Sequence, residues 1–227
     1  MEWRTALTRA RQNPWMAVTV GAALLKGQYY RLKYRLQGRH VVLGRHFRVF
    51  GRLDIRGPGT IRFGDDCAVF SSRIAPTTPW TQSPEAVICF GNGVALNGTR
   101  MSCKQRIEVG DGAMLAEARI TDSDFHAIEP HGRPRLTTSG VTKPVIIGPN
   151  VWVCMEAMVL KGARIGENSV VAAGAVVTGR VPPNVVVFGN PARVVWRLKE
   201  PANSSSSNHE AEGILAAMQG IEKSHEQ

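Results

Sequence analysis

From residue 145 to residue 178 the chain repeats every six residues. Ile147, Val153, Val159, Ile165, Val171 and Val177 are β-branched aliphatics at that constant spacing. Two residues before each stand Val145, Val151, Ala157, Ala163, Ser169 and Ala175, and the residue after each is usually small or apolar. A helix of 3.6 residues per turn cannot hold this phase, and a strand that merely alternates has no reason to. A fixed hexad predicts a parallel β-helix, in which short strands form flat faces and one aliphatic per strand stacks inward.

The same phase can be followed upstream. Leu43, Val49 and Ile55 are six apart, and Gly57-Pro58-Gly59 then breaks the register. Phe63-Gly64 and Val69 resume it, and Phe90-Gly91 and Leu96 are again in phase. The phase slips by one near residues 102–104 and settles at Val109-Gly110, Leu115 and Thr121. Residues 71–85, polar and rich in Pro and Thr, read as a loop. A second loop at 122–143 interrupts the coil, and long loops on a rigid repeat are where function tends to sit. Beyond Thr178, Val185 to Val187 and the turn Gly189-Asn190-Pro191 lead to a short closing helix expected at 194–198.

These readings divide the 227 residues into a basic N-terminal helical arm (1–40), a β-helix domain (41–198) and a flexible tail (199–227). The fold class is mainly β. The tail begins with a Pro/Ser/Asn linker expected to be disordered, and Ile214, Leu215 and Met218 fall on one side of a short helix within it. In the arm, Pro14 can open a helix running to about Leu36. Leu25, Tyr29, Leu32 and Leu36 form one stripe along it. That stripe is expected to pack on the end of the coil, whose edge would otherwise be open. The alternative is an interfacial helix with Trp15, Tyr29 and Tyr30 in a headgroup layer.

The net charge of +10 is concentrated in this arm: Arg4, Arg9, Arg11, Lys26, Arg31, Lys33, Arg35 and Arg39 face Glu2 alone. Such a run suits an anionic partner, and peripheral membrane contact is the expectation, with no nucleic acid. A solvated helix face explains the charge equally well. The apolar run from Trp15 to Leu25 is too short to span a bilayer and Lys26 ends it. It loosely resembles a signal peptide but has no convincing small-residue cleavage site. Cytoplasmic placement, with contact at the inner face of the membrane, is the resulting expectation.

Cys67, Cys89, Cys103 and Cys154 include no C-x-x-C pair, which argues against a structural zinc site and gives no disulfide framework. Cys154 falls on a small position of the repeat and is expected in the core. No metal is expected. A zinc hydratase of the carbonic-anhydrase type needs three histidines on stacked faces, and only His126 and His131 lie near the second half of the coil.

The second loop opens with Asp122-Ser123-Asp124-Phe125-His126. Histidine is the natural general base near neutral pH. Asp124, Glu129 or a backbone carbonyl could hold its other ring nitrogen. No cysteine neighbours a histidine in a recognisable pair, which argues against a cysteine acyl-enzyme.

From Asp122 to Arg193 the chain resembles the hexapeptide-repeat acyltransferases, and within them the galactoside, maltose and polysaccharide O-acetyltransferase branch. The pieces that carry the resemblance are Asp122 to His126, Lys143-Pro144-Val145-Ile146-Ile147-Gly148, Asn150-Val151-Trp152-Val153, Lys161-Gly162, Ile165-Gly166 and Gly189-Asn190-Pro191-Ala192-Arg193. The resemblance implies a left-handed parallel β-helix, a homotrimer, active sites between neighbouring subunits, acetyl-CoA as acyl donor and a carbohydrate acceptor. It makes His126 the general base. Asn97, Trp152 and Asp124 fall on the acceptor side, and the backbone N–H of Leu96 faces the oxyanion. Coenzyme A lies beside Met155 and Ala173 and near Thr178, with Arg193, and more weakly Lys161, at its phosphates. Gly179 stands where many relatives carry a lysine, and an acidic acceptor-binding residue of the galactoside enzymes is replaced near Cys103-Lys104. Two rival functions stay open: a non-catalytic scaffold binding an anionic surface, and an N-acetyltransferase of nucleotide sugars.

Overall fold

The computed structural model describes residues 14–72, 75–128 and 139–199. Arg4, Arg9, Arg11, Glu129, His131 and the expected tail helix lie outside the described residues. One helix, α1 (Pro14–Leu36), precedes a coil of short strands. The first turn of the coil holds β1 (Val41–Leu43), β2 (Arg48–Val49) and a bridged segment at 53–56. The second holds β3 (Thr60–Phe63), β4 (Ala68–Phe70) and β5 (Thr78–Thr81). The third holds β6 (Val87–Phe90), β7 (Ala95–Asn97) and β8 (Arg100–Cys103). The fourth holds β9 (Arg106–Val109), β10 (Met114–Ala116) and β11 (Arg119–Thr121). The fifth follows the second loop as β12 (Val145–Ile147), β13 (Trp152–Val153) and β14 (Met158–Val159). The sixth is β15 (Arg164–Ile165), β16 (Val170–Val171) and β17 (Val176–Val177). The coil ends with β18 (Arg180–Val181), β19 (Val185–Phe188) and β20 (Arg193–Arg197).

Strands one turn apart are hydrogen-bonded in parallel and build three faces. The first face runs β1-β3-β6-β9-β12-β15-β18, the second β2-β4-β7-β10-β13-β16-β19-β20, and the third β5-β8-β11-β14-β17. The register is the hexad made visible: Ile146 pairs with Arg164, Trp152 with Val170 and Met158 with Val176, each three hexads on. Every aliphatic of the repeat is buried, at 0–3% exposure from Ile147 to Val177. In the early turns the stack is aromatic, with Phe47, Phe63 and Phe90 ring to ring at 4.9 and 4.3 Å. Between the first and second faces the turns come so close that a Cβ on Gly166 would stand 2.4 Å from Pro183 N. The left-handed residues beside that corner stack as a ladder, Asn150 donating to Asn168 at 3.0 Å and Asn168 to Asn184 at 2.9 Å.

α1 caps the first turn, but not with the stripe expected. Leu25, Tyr29, Leu32 and Leu36 are 56–78% exposed. The face turned inward is Ala23, Gly27, Tyr30 and Tyr34. The physical reason is polar. The end of a coil presents backbone groups with no further turn to bond, and an aliphatic stripe cannot satisfy them. The Tyr30 hydroxyl accepts from Leu53 N–H at 3.3 Å and that of Tyr34 from Ile55 N–H at 3.2 Å. Arg31 donates to the carbonyls of Leu43 and Gly44, Lys26 to that of Gly51 and Arg39 to that of Ile55. Gly27 allows the approach, since a Cβ there would meet Phe47 O at 2.0 Å. Burial pushes the Tyr34 phenol up to about 12.

Three further expectations are corrected. Residues 71–85 are not all loop, because β5 pairs with β8 inside them. Thr77 just before it and Pro79 and Thr81 within it point inward, and Thr81 Oγ1 bonds both Gly59 N–H and Arg56 O. A polar strand is stable here because each buried hydroxyl can find a backbone partner. The closing segment is β20, antiparallel to β19, and not a helix. Val194, Val195 and Trp196 suit a strand, and the edge of β19 offers a ladder to join. Cys154 lies past the inward Val153 and is only half-buried, so it is not a core residue.

Candidate active site

The second loop begins on an inward position. Ala118 and Ile120 point into the core, and two residues on so does Asp122, which is fully buried. Asp122 Oδ1 accepts Lys104 N–H at 2.8 Å, and Oδ2 accepts Gln105 N–H and Arg106 N–H, both at 2.7 Å. The Cys103 thiol lies 3.4 Å from the same oxygen. One carboxylate thus holds the corner where the third turn becomes the fourth. The sequence reading missed this residue, although alternation carried two places past Ile120 points to it.

From Asp122 the loop leaves the coil as an antiparallel stem. Lys143 N–H donates to Asp122 O at 2.9 Å, Asp124 N–H to Val141 O at 3.1 Å and Gly140 N–H to Phe125 O at 3.3 Å. Ser123 bridges Thr142, and His126 bridges Ser139. Phe125 has φ +63°, and His126 N–H donates across it to Asp124 O at 2.7 Å. A three-residue turn with positive φ is rare and strained in a non-glycine residue. Several groups hold it. Phe125 N–H donates to Ser123 Oγ at 2.9 Å, and Lys104 Nζ donates to Phe125 O at 3.2 Å while lying over the Phe125 ring. Gly140 packs so closely that a Cβ would fall 2.6 Å from His126 O. His126 is exposed on this clamped stem. Lys161 Nζ lies 3.2 Å from Asp124 Oδ2, both side chains being largely buried. Lys161, expected near a phosphate, is drawn to the stem.

The other expected residues gather elsewhere. Asn97, Met155 and Ala173 stack along the edge between the second and third faces. Glu117 N–H bonds Asn97 O, Glu156 N–H bonds Glu117 O and Gly174 N–H bonds Met155 O at 3.0 Å. Arg193 is exposed at the top of that edge, where Ala192 N–H reaches Val176 O. Trp152 points outward from the second face between Met114 and Val170, 45% exposed. Thr178 lies at the opposite edge, between third and first faces, as do Asp124, His126 and Lys161. Leu96 is 1% exposed in the middle of β7, in register between Val69 and Leu115. Its N–H therefore lies in the sheet and is directed at a neighbouring strand.

The candidate residues thus form two groups separated by the third face, a width of about 10–13 Å for strands of three or four residues. One chain does not bring them together.

The thiols bear on the chemistry. All four cysteines are free. Burial pushes the Cys67 thiol up to about 11, burial and then the neighbouring Asp122 raise Cys103 further, and partial burial raises Cys154. A thiol held protonated is a poor nucleophile. Among the described residues no three His, Cys, Asp or Glu side chains gather as a metal site needs.

Residues 144–179 match the family model "Bacterial transferase hexapeptide (six repeats)". The chain superposes on an N-acyltransferase from Bacillus cereus, solved with dTDP and coenzyme A, with a TM-score of 0.55 over 85% of this chain and 95% of that one, at 16% identity. It superposes on a polysialic acid O-acetyltransferase with a TM-score of 0.53 over 78% and 92%, at 18% identity. These likenesses show the fold, a left-handed parallel β-helix, with hexapeptide repeats at residues 144–179. In sequence it resembles the galactoside O-acetyltransferases. It is 36% identical to that of Lactococcus lactis over 49% of this chain and 53% of the relative, and 33% identical to that of Escherichia coli over 41% and 45%. The chain spans about half the length of these curated relatives.

Proposed function

We propose that the chain is an acetyl-CoA-dependent acyltransferase that moves an acetyl group to a hydroxyl of a sugar or polysaccharide, with His126 as general base. The observation that carries this reading is the clamped stem. A strained turn, a serine hydroxyl, Lys104 and a glycine contact all fix the backbone that presents an exposed imidazole. Backbone strain of about 1–3 kcal/mol persists only where the surroundings enforce it, and such strain clusters at functional sites.

In this mechanism His126 takes the proton of the acceptor hydroxyl while its oxygen attacks the thioester carbonyl. The tetrahedral intermediate collapses, the C–S bond breaks, and the departing thiolate of coenzyme A takes the proton from the imidazolium. Asp124 and Lys161 fix the base of the stem. Leu96 has no part in the reaction, because its N–H is directed at a neighbouring strand. Coenzyme A runs along the other edge past Met155 and Ala173, with Arg193 at its phosphates, and Asn97 and Trp152 line the acceptor side. The names of the sequence relatives support the reaction class. The two residue groups meet when one protomer lays its stem against the donor edge of the next, and a homotrimer supplies that arrangement three times. The protein is placed in the cytoplasm, with its basic arm at the inner face of the membrane.

The test is a mass-spectrometric screen of acetyl-CoA with sugar, glycan and amino-sugar acceptors, with His126→Ala as control. The reading expects acetylation of a hydroxyl that the variant all but loses. Near-normal turnover by folded His126→Ala rejects the base. Absence of heat on titrating acetyl-CoA rejects the enzyme in favour of a scaffold.

A further inference from the structure

α1 carries two apolar seams on nearly opposite sides. The inner seam, Ala23, Gly27, Tyr30 and Tyr34, closes the end of the coil. The outer seam is Trp15, Val18, Ala22, Leu25, Tyr29, Leu32 and Leu36, spaced alternately three and four, and every member is exposed. Trp15, Leu25 and Leu36 are 74–81% exposed. A continuous apolar stripe of this length on a surface marks a docking site.

Charge decides what docks. Pro14–Leu36 contains no acidic residue but holds Lys26, Arg31, Lys33 and Arg35. Lys33 flanks the outer seam on one side and Arg35 on the other, while Lys26 and Arg31 reach to the coil end. Two copies of the seam would bring these like charges together with no carboxylate between them, so self-pairing is opposed. A surface that is apolar beneath and anionic above fits both features. No helix among the described residues is long and apolar enough to cross a membrane. A helix of this kind lies in the interface plane.

We propose that the outer seam of α1 seats the protein on an anionic phospholipid surface while the inner seam closes the coil. This deepens the membrane contact assigned above to the arm: it names the face and fixes the orientation. α1 bonds backbone groups at Leu43 on the first side, at Gly51 on the corner after β2 and at Leu53 and Ile55 on the third, so it lies across the end of the coil. Docking therefore stands the coil axis upright on the bilayer. At about 4.8 Å per turn, the His126 stem between the fourth and fifth turns stands roughly 15–20 Å above the first turn.

The experiment is co-sedimentation of the full chain with phosphatidylcholine vesicles, with and without phosphatidylglycerol. The variants are Leu25→Gln/Leu32→Gln and, separately, Arg35→Glu. The expected results are binding that needs phosphatidylglycerol and weakens with salt, at least tenfold weaker binding by the double variant, and a several-fold loss in Arg35→Glu. These side chains are exposed, so circular dichroism and thermal midpoint should match the parent. Binding unchanged in the double variant, or no binding by the parent, overturns the proposal. So does a parent whose oligomeric state, measured by light scattering without vesicles, falls when Leu25 and Leu32 are replaced, since the seam is then a protein interface. No acetyl-CoA enters the assay, so failure here and failure of the proposed reaction are read separately.

Discussion

Replacing Asp122 by alanine removes the acceptor for three backbone N–H groups at once, at 2.7–2.8 Å and in a fully buried site. Each hydrogen bond to a charged acceptor contributes about 1.5–3 kcal/mol net, and a donor left buried without a partner costs about as much. A water entering the vacated space can satisfy some of them. The expected loss is therefore about 3–5 kcal/mol. For a chain of this size that corresponds to a fall in Tm of roughly 10 °C. Asp111→Ala is the control. Its Oδ1 accepts one N–H, from Asn92 at 2.8 Å, at an exposed corner, and its loss should stay under about 1 kcal/mol. Asp122→Asn, which keeps the volume and one acceptor oxygen, should fall between. Urea unfolding followed by circular dichroism measures all three. If Asp122→Ala is no worse than Asp111→Ala, the corner is not held by this carboxylate. The stem would then be anchored only by its own ladder.

Four other perturbations test separate parts. His126→Ala should lower turnover by about 10²–10⁴-fold with an unchanged circular dichroism spectrum, measured as acetyl transfer once an acceptor is found. Tyr34→Phe orphans the Ile55 N–H and should cost about 1–3 kcal/mol in urea unfolding. Gly27→Ala drives a methyl into Phe47 O and should cost about 1–3 kcal/mol or more while loosening α1, read by hydrogen exchange along the helix. The Cys67 thiol is raised from 9.0 to about 11 by burial. The unfolded thiol therefore ionises first, and stability present below pH 9 is lost as the pH rises to 11. Cys67→Ala should flatten that part of a plot of Tm against pH.

The coil was legible because its signal is local and periodic: each turn repeats the demand for an aliphatic at the same place. The helix was legible too, but not which side of it faces inward. Both sides of α1 are apolar, and the choice was made by the hydroxyls of Tyr30 and Tyr34 meeting N–H groups at the coil end, a need that periodicity does not encode. β5 was hidden because Thr77, Pro79 and Thr81 read as loop chemistry until the strand on either side supplies partners. β20 was hidden because Val194 to Trp196 becomes a strand only against the vacant edge of β19. His126 could be singled out from the loop. That Asn97, Met155 and Ala173 lie on a different edge from His126 could not, because phase within a turn does not say which corners a site will use.

The coil is stoppered at one end and partly covered at the other. At one end α1 lies across the first turn and bonds its backbone at Leu43, Gly51, Leu53 and Ile55. At the other, β20 covers the second face and the turn at 189–192 bonds Val176, while β18 ends the first face as an edge strand. α1 therefore stands in the way of copies of this chain lengthening one another end to end into a fibre. Removing residues 1–39 would uncork the first turn, so a deletion meant to probe the membrane should instead yield filaments or precipitate.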